Sequence, residues 1–514
     1  MKTSKFKTSI LFTLFSLLLT AQNTDLKVSN NSKLYISPSS IVYVSDNSTI
    51  ESGGELIMDS TSDNFSDFFV VGTSAGIAEY RHFTASIGTR DLVSPPVSGE
   101  AFSDFAQNNS GKIPTGTLTG SPNLLYGPFN NMTSSYEEYA PSETTIMQPS
   151  NGFRAASVNG ETLSYNGLVS TGDVLLNITY GTGQFKRNNL IGNPFTTHLD
   201  SQDLMGVIST TGGIDSNFKA IYFYDGSTNS FPWKVINNTT SSELITPGQG
   251  FMLMASDTGS AFSIPKSARR VSLTQQDNAI QGRLANNSSS FNLKLTKQSL
   301  MYTAKIYFTN DGLVTRGLDA GWDAGNIGSH VGTHLVEDSE GVNFSIQALD
   351  ISDLTATDYM IPVDVSLAAG EEAMFSTIDL NIPAGVNFYL DDTELNVQTL
   401  ITSNSYTFAA TTELNGIGRF YLRTTSDTFS AASTALNSVE VFTIAETNEL
   451  TVRGQLRSAS VLKLHDIRGR LINSYHLDPN QTEHKIDVSA VSPGVYIVNL
   501  SNEFQAKTTK LVIN

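Results

Sequence analysis

The stretch VLKLHDIRGRLINSYHLDPNQTEHKIDVSAVSPGVYIVNLSNEFQAKTTKLVIN, residues 461–514, indicates the fold class of the chain. Its apolar residues alternate with polar ones, so Leu462 and Leu464 would share one face of a strand. Segment 495–500 has the same period of two. Gly469 and the pair Pro493-Gly494 are residues that tight turns require. The stretch therefore predicts short strands joined by turns, which would close a two-layer β domain of about seven strands.

The composition is that of an acidic chain without cysteine. Its 514 residues include 49 Asp and Glu against 31 Lys and Arg, which gives a formal net charge of −18. Such a charge repels phosphate backbones, so we expect no nucleic-acid partner. The lack of cysteine excludes disulfides, thiolate metal sites and a lipid-modified N-terminal cysteine. An exported form of this chain would be held together by packing alone.

The N-terminus has the pattern of a signal peptide. Lys2, Lys5 and Lys7 form a positive leader before the apolar segment 10–21. A segment of about twelve residues is too short to span a bilayer but suits the core of a signal peptide. We predict a signal peptide at 1–21 and expect no other membrane-spanning stretch.

Alternating segments and turn residues recur along the chain, so we predict an all-β, multi-domain protein. Short apolar bursts before residue 58 indicate a β-solenoid or a β-meander. FNLKLT and AKIYFT, either side of residues 297–303, predict a hairpin. The predicted divisions are a β-rich N-terminal segment at 22–75, a β-rich module at 76–270, a β-sandwich at 285–423, a linker at 424–438 and a small β-sandwich at 439–514.

Three motifs give the tail a specific resemblance. D-x-x-G-R occurs at 466–470, S-P-G-V-Y at 492–496 and K-x-x-K-L-V at 507–512. In this order they resemble a type A C-terminal sorting domain of the Bacteroidota type IX secretion system. The chain departs from that family at 442–452, where FTIAETNELTV replaces the usual Pro-Asn-Pro turn. The predicted sorting-signal residues are Asp466, Gly469, Arg470, Pro493, Gly494, Tyr496, Lys507 and Lys510.

This resemblance implies a route and a location. The chain would cross the inner membrane by its signal peptide, fold in the periplasm and leave through the type IX translocon. Its tail would then be removed in the linker 424–438, and the cargo would be attached to surface lipopolysaccharide or released. The expected location is the cell surface, on the exterior of the outer membrane, or the medium.

Upstream segments carry weaker resemblances. IGNPF at 191–195 and PGQGF at 247–251 resemble recurring pieces of large secreted Bacteroidota proteins. GLDAGWDAG at 317–325, with YLDD and GRFYLR further on, resembles β-sandwich modules found before sorting tails. DST at 59–61 resembles the O-glycosylation acceptor signal of the same bacteria. These likenesses imply β modules without an assigned activity.

Two motifs suggest catalysis or metal binding but have simpler interpretations. GTSAG at 72–76 matches the G-x-S-x-G nucleophile elbow, with Ser74 as nucleophile, yet the next segment alternates like a strand where the elbow needs a helix. We therefore predict a hairpin turn. His330 and His334 could share a metal on a helix, but flanking glycines favour exposed loop histidines.

Asp319 and Asp323 are the candidate calcium ligands. Calcium takes six to eight oxygen ligands, and this run does not follow the EF-hand pattern, so turn-capping is the favoured role. We predict no other cofactor.

The other acidic and aromatic residues of the sequence do not predict a defined catalytic or binding site. Adjacent acids on a strand point to opposite faces and form no acid/base pair. Aromatic side chains could stack on sugar rings, although packing is favoured. The acidic pairs are Glu137 and Glu138, Glu371 and Glu372, and Asp391 and Asp392. The aromatic residues are Trp233, Trp322, Tyr222 and Tyr224.

The sequence therefore favours a secreted or surface-displayed β protein that binds an unidentified extracellular glycan or protein, or has a structural role, without catalysis. The alternative is an extracellular hydrolase of a polymer, which would need two carboxylates about 5–10 Å apart across a cleft.

Overall fold

A computed structural model describes residues 12–13, 25–116, 122–225, 232–271, 289–310, 312–337, 341–356, 359–426, 439–444, 448–454, 456, 460–467, 470–478, 481, 483–502 and 506–513. The chain divides into two compact units. The first contains Met1–Asp353, Tyr359–Ile382 and Leu390–Leu422, and the second contains Leu354–Asp358, Pro383–Tyr389 and Arg423–Asn514. Strands dominate both units, so the all-β, multi-domain prediction is confirmed. Of the predicted signal peptide, only Phe12–Thr13 lies within the described residues.

The N-terminal segment is a β-solenoid. Strands one rung apart pair in parallel, as Lys33–Ile36 does with Glu55–Met58. Parallel pairing excludes the predicted meander, whose neighbouring strands would be antiparallel. The predicted hairpin turn at GTSAG is wrong, because Ser74–Ala75 forms a strand that continues the rung pattern beside Ser48–Ile50. The strands are Leu26–Val28, Lys33–Ile36, Ile41–Val44, Ser48–Ile50, Glu55–Met58, Asp67–Val70 and Ser74–Ala75.

Strand Ala78–Thr84 joins the solenoid to the next module. It pairs in parallel with Glu55–Met58 and in antiparallel fashion with Glu161–Val169. One hydrophobic core consequently runs from Val28 to Val169. The elements around it are the strands Asp91–Val93, Val97–Ser98, Tyr126–Gly127, Phe129–Asn130, Ser135–Tyr136 and Phe153–Ala155, and the helix Phe102–Asn108.

A second core surrounds the helix Ser201–Thr210. Asp200 caps this helix by accepting hydrogen bonds from the amides of Gln202 and Asp203, the usual role of an aspartate at this position. Leu204 and Ile208 face the core, where both are fully buried. The strands here are Val174–Ile178, Asn188–Gly192, His198–Asp200, Ile221–Tyr224, Trp233–Ile236, Leu244–Ile245, Gly250–Met254, Ser260–Ile264 and Arg269–Arg270, with 3-10 turns at Ser216–Phe218 and Lys266–Ala268.

The second core is tied back to the solenoid by a buried contact between a histidine and a carboxylate. His198 Nδ1 lies 2.9 Å from Asp67 Oδ1, and both side chains are almost fully buried. The His198 amide also donates to Asp67, and the Phe68 amide donates to the Thr196 carbonyl. These bonds join residues about 130 positions apart in sequence.

Asn193 holds together the two turns that resemble segments of secreted proteins. Gly192 of IGNPF pairs with Gly250 of PGQGF. The Asn193 side chain is fully buried; its Nδ2 donates to the carbonyls of Thr197, Ile245 and Thr246, and its Oδ1 accepts from the Phe195 amide. One side-chain amide thus bonds four backbone groups, of which the Thr246 carbonyl also accepts from the Gln249 amide.

Asn193→Ala should therefore destabilise the protein by about 2–4 kcal/mol, because buried backbone groups lose their partners. The measurement is the urea midpoint followed by tryptophan fluorescence. Asn177→Ala, at an exposed position of the strand Val174–Ile178, should change stability by less than about 0.5 kcal/mol. Equal effects of the two substitutions would contradict this role for Asn193.

Residues 289–426 form an eleven-stranded sheet. The predicted hairpin is confirmed, since Ser289–Lys297 pairs with Leu300–Thr309. The sheet curves strongly: Phe375 and Phe420 lie on strands far apart in its order, yet their ring centroids are 5.1 Å apart. The other strands are Ala324–Gly325, Val331–Thr333, Phe344–Asp350, Ile361–Leu367, Glu372–Asn381, Val386–Asp392, Val397–Leu400, Tyr406–Ala409 and Leu414–Ser426, with a 3-10 turn at Ile351–Thr355.

The C-terminal strands form two sheets around one core. A three-stranded sheet and a four-stranded sheet together contain seven strands within the described part of this region. Leu462, Leu464, Val498 and Leu500 are fully buried between them, which confirms the predicted alternation. The strands are Glu440–Ile444, Glu449–Arg453, Ser460–Asp466, Leu471–Leu477, Glu483–Asp487, Gly494–Ser501 and Ala506–Ile513.

Candidate ligand-binding site

The candidate site lies where a sheet with two apolar faces meets the eleven-stranded sheet. All five residues of the strand Gly250–Met254 are buried, as expected for a strand covered on both sides. Phe251 and Leu253 face the helix Ser201–Thr210 and its core. Met252 faces the other way and packs with Tyr222, Ile346 and partly buried Tyr307. We call this second interface the seam, defined by the cluster around Met252, Tyr222 and Ile346.

A groove of about 390 Å³ opens at one edge of the seam, within the range of about 300–1,000 Å³ typical of ligand sites. Its floor is the outer face of the hairpin: Asn292 pairs with Lys305, and Lys294 pairs with Thr303. Strand alternation sends these four side chains away from the buried core of the eleven-stranded sheet. Trp233 forms part of the opposite wall. We call it the lysine groove, because it is lined by Lys234, Lys294 and Lys305.

The lysines differ in their partners. Lys234 Nζ lies 2.9 Å from Glu243 Oε1. For Lys294 and Lys305, by contrast, the described residues provide no hydrogen bond or ion pair. Burial lowers the pKa of the Lys305 ammonium, and the charge of Lys234 lowers it further. Burial likewise raises the pKa of the Glu243 carboxyl. The charges of Glu243 and Asp379 act on the Lys305 pKa in the direction opposite to burial. The groove therefore holds two lysines without a direct ion pair to a described residue, and Lys305 lies in the field of two carboxylates.

A β-bulge shapes the end of the groove. The pairing of Ser289–Lys297 with Glu372–Asn381 shifts register between Ser290 and Asn292, and Asp379 beside it has a φ of 48°, in the left-handed region. The Asp379 carbonyl accepts a hydrogen bond from Asn292 Nδ2 at 3.1 Å. Asn292 is 6% exposed, and its Oδ1 has no hydrogen-bond partner among the described residues. Bulges of this kind commonly reorient side chains beside functional sites.

A second cavity, of about 410 Å³, lies on the other side of Trp233. We call it the aromatic pocket, because Phe129, Tyr136, Phe185 and Phe218 line it with Trp233. Phe185 is 50% exposed. Lys186 and Arg187 also line this pocket, and the Arg187 Nε pairs with Asp215 Oδ2 at 2.7 Å. Trp233 thus lines both the lysine groove and a pocket that contains several aromatic side chains and the basic residues Lys186 and Arg187.

Of the predicted sugar-stacking residues, Trp233 alone lines both cavities. Tyr224 contacts it edge to face at 5.4 Å between ring centroids. Tyr222 is fully buried in the seam, where its hydroxyl donates to the Gly325 carbonyl at 3.0 Å. The carbonyl of half-buried Trp322 accepts a hydrogen bond from Asn237. The favoured packing role therefore describes Tyr222 and also Trp233, which packs against the seam cluster while lining both cavities.

The glycines of GLDAGWDAG allow this segment to approach the neighbouring module closely. A Cβ at Gly321 would lie 2.8 Å from Ser209 Oγ, and Gly321 has a φ of 91°. A Cβ at Gly325 would lie 2.4 Å from the Phe218 ring. The Gly321 carbonyl accepts a hydrogen bond from the Asn238 amide at 2.9 Å. The motif thus belongs to the seam.

The candidate calcium ligands act as caps of backbone amides. Asp319 Oδ2 accepts from the Thr315 amide at 2.6 Å. Asp323 accepts from the amides of Asp319 and Ala348. Burial raises the pKa of the Asp323 carboxyl to about 7, and the neighbouring Asp319 charge adds to this shift. Within the described chain no group of three or more His, Asp or Glu side chains is placed to hold a metal ion.

The Asp323 carboxyl should make stability fall as the pH rises from about 5 to 8. The folded state keeps this proton up to about pH 7, whereas the unfolded chain loses it near the ordinary value of about 3.9. The stabilisation is therefore complete below about pH 4 and lost above about pH 7. Urea midpoints at pH 5 and 8 should differ less in Asp323→Asn, which cannot titrate.

An equal pH dependence in the two proteins would contradict this assignment. A separate measurement with millimolar calcium tests the ligand role. If Asp319 and Asp323 bind Ca²⁺, the ion should raise the midpoint of the native protein and not that of Asp319→Asn, since a ligand that binds only the folded state stabilises it.

The histidines are not exposed loop residues, so that prediction is wrong. They flank the short strand Val331–Thr333. His334 is 6% exposed, and its Nε2 lies 3.0 Å from Asp364 Oδ2. His330 is half-buried, with Nδ1 2.6 Å from the Ser366 carbonyl and its ring edge to face with Tyr302.

The remaining acidic candidates have structural contacts. Buried Asp392 pairs with Arg419 at 2.8 Å, and Asp391 accepts from Gln398. Glu371 pairs with Lys297 at 2.8 Å. Glu137 accepts from Asn130, while Glu138 lies 4.0 Å from Arg154. In the DST segment, Ser60 is buried and Thr61 is exposed, so only the threonine hydroxyl is accessible.

The predicted sorting turn is closed by its own charged residues. Asp466 Oδ1 accepts from the Arg470 amide at 3.0 Å, and Oδ2 lies 3.1 Å from Arg470 Nε. The Asp466 amide in turn donates to the Arg470 carbonyl. The Arg470 side chain is 76% exposed. Gly469 lies outside the described residues. The spacing of Asp and Arg in D-x-x-G-R is thus explained by reciprocal bonding across the turn.

The other predicted sorting residues divide between core and surface. Tyr496 is 8% exposed, and its hydroxyl donates to the Ser492 carbonyl at 2.7 Å, which braces the turn containing Pro493 and Gly494. Lys507 Nζ donates to the Val439 carbonyl at 2.6 Å. Lys510 lies opposite Ile497 and is exposed.

The fold and the tail define a class of β-rich cargo proteins that carry a C-terminal sorting domain. The family described as "Secretion system C-terminal sorting domain" matches residues 442–514, which confirms the type IX resemblance. The chain is therefore exported to the cell surface or secreted, and its tail interacts with the type IX secretion machinery. The described residues contain no helix with the length and hydropathy that a membrane crossing requires.

The family described as "Domain of unknown function (DUF8693)" matches residues 10–423, and the chain belongs to it. No curated protein matches the chain. Among solved structures, one titled "Biofilm associated protein - BSP domain" is similar at 9% identity over 85% of this chain and 96% of that chain, with a TM-score of 0.14. A TM-score this low carries no argument about function.

The residues of the lysine groove were missed in the sequence. Asn292 and Lys294 alternate with the buried residues of FNLKLT, so their shared face could have been recognised. This face becomes the floor of a groove only because the seam forms beside it. The two sides of the seam are many residues apart in the sequence, so the groove could not be predicted.

Proposed function

We propose that the chain is a non-catalytic, adhesin-like binding protein that acts outside the cell, either anchored to surface lipopolysaccharide or released. The observation that carries this proposal is the combination of the sorting domain at 442–514 with a ligand-sized groove in the cargo. The absence of catalysis is supported by the roles of the candidate residues: Ser74 lies in a solenoid strand and His334 pairs with Asp364.

Export should depend on the tail. Deleting residues 439–514 in a Bacteroidota host with an active type IX system should leave the cargo in the periplasm and reduce surface and medium levels at least tenfold. Cell fractionation and surface proteolysis measure this. Unchanged levels outside the cell would contradict the assignment of the sorting domain.

Point variants sharpen the same experiment. Because Asp466 and Arg470 close their turn reciprocally, Asp466→Ala with Arg470→Ala should reduce export while the core of the tail still forms. Lys463→Ala, on a neighbouring exposed position outside the motif, is the matched control and should be exported normally.

The binding role can be tested on the protein purified without residues 1–21. A screen against glycans and matrix proteins, with and without calcium, should reveal at least one ligand. Silence across the whole screen would contradict the binding role. Release of reducing ends from a bound polysaccharide would instead favour the hydrolase.

A further inference from the structure

The lysine groove contains polar groups that the protein itself does not satisfy. Asn292 Oδ1 is buried without a hydrogen-bond partner among the described residues. Lys294 and Lys305 line the same groove without a direct ion pair to a described residue, although the carboxylates of Glu243 and Asp379 lie close enough to act on the Lys305 charge. Burying an unsatisfied polar atom such as the Asn292 oxygen is costly, whereas the two lysines are partly exposed. The Asn292 oxygen and the two lysines lie together in one ligand-sized groove, so a single ligand there can pair with all three.

The positions of these groups specify the chemistry of that ligand. Lys294 lies diagonally across the hairpin ladder from Lys305, and diagonal neighbours are roughly 7–8 Å apart. Two ammonium groups at this spacing can both reach one carboxylate or sulfate group. The Asn292 oxygen, which only accepts hydrogen bonds, fits a hydroxyl donor beside the anion.

Trp233, on a strand of the sheet across the seam, adds an apolar aromatic side chain to the lining of the groove. Indole rings stack on the apolar faces of sugars and contribute large contact areas with little loss of side-chain freedom. Asp225 and Asp379 also line the groove, which disfavours a highly charged polyanion and favours a ligand with isolated negative groups.

We infer that the lysine groove binds an acidic saccharide, with the sugar ring against Trp233, its anionic group between Lys294 and Lys305, and a hydroxyl donating to Asn292. This inference rests on the proposed binding function and names its ligand class. The chain has a formal net charge of −18, and the groove lining has three lysines against two aspartates. Lys234 is already paired with Glu243, so Lys294 and Lys305 are the lysines of the lining that remain for an anionic group.

The test measures binding of the purified chain to tetrasaccharides by titration calorimetry and by fluorescence. The chain has two tryptophans, so stacking on Trp233 should change the emission. The probes are tetramers of galacturonate, glucuronate, mannuronate and guluronate, and a sulfated tetrasaccharide. A neutral galactose tetramer is the control for a sugar ring without charge. Tetraglutamate is the control for negative charge without a sugar ring.

We expect at least one acidic tetramer to bind, with affinity that falls as salt increases, and both controls to bind at least tenfold more weakly. Binding of carboxylated but not sulfated sugars, or the reverse, would identify the anionic group. Equal binding of the neutral tetramer or of tetraglutamate would overturn the proposal, as would silence across the acidic panel.

Variants locate the site. Lys294→Met and Lys305→Met remove charge but keep the aliphatic stem, and each should weaken binding about tenfold or more, as expected when a charged hydrogen bond is lost. Trp233→Ala should weaken binding and abolish the fluorescence change. Lys266→Met, at an exposed lysine of the same unit, should have no effect.

Lys186→Met distinguishes the two cavities beside Trp233, since Lys186 lines only the aromatic pocket. It should leave binding unchanged; if it abolishes binding while Lys294→Met and Lys305→Met do not, the site is in the aromatic pocket and the proposal is wrong. Unchanged thermal unfolding of Lys305→Met shows that a loss of binding is not a loss of folding.

The two proposals fail in different ways. If acidic sugars do not bind but the chain binds another glycan or a matrix protein, the ligand class is wrong and the binding function stands. If the chain binds nothing in either screen, both proposals fail.

Discussion

The structure of the cargo depends on one sheet that is apolar on both faces. Its central strand, Gly250–Met254, has no exposed side chain, and burial of each large apolar residue contributes roughly 1.5–3 kcal/mol. One face is covered by the helix Ser201–Thr210 and the other by the eleven-stranded sheet. Two modules that could have been separate are therefore bound into one unit. The lysine groove lies where this covering ends, so the candidate site is a product of the packing that stabilises the cargo.

Local features of the fold could be predicted because they depend on residues close in sequence. The alternation that buries Leu462 and Leu464 and the hairpin at Ser289–Thr309 are both short-range patterns. The solenoid was ambiguous, since a single rung has the same alternation as a meander strand. Only the parallel pairing of strands in neighbouring rungs distinguishes a solenoid from a meander. GTSAG was misinterpreted for the same reason: glycines around a short strand look like a turn when its partner is not known.

The site was less predictable than the fold, because its chemistry comes from distant partners. His334 was expected in a loop, yet it is buried because Asp364, thirty residues later, supplies the charge that makes burial tolerable. Trp233 and Tyr222 looked equivalent in the sequence. Only the packing at the seam buries Tyr222 and places Trp233 beside two cavities. The D-x-x-G-R turn is the opposite case: Asp466 and Arg470 are four residues apart and bond each other, so motif and structure coincide.

The ties between the solenoid and later residues also affect the order of assembly. Asp67 and Phe68 form hydrogen bonds with residues about 130 positions further on. Strand Ala78–Thr84 likewise pairs with the distant strand Glu161–Val169. Contacts of such long range slow folding. The rungs pair locally with one another, but the packing of the solenoid on the rest of the cargo is complete only when these later residues are in place. Until then, the strand edges of the solenoid stay open to wrong partners.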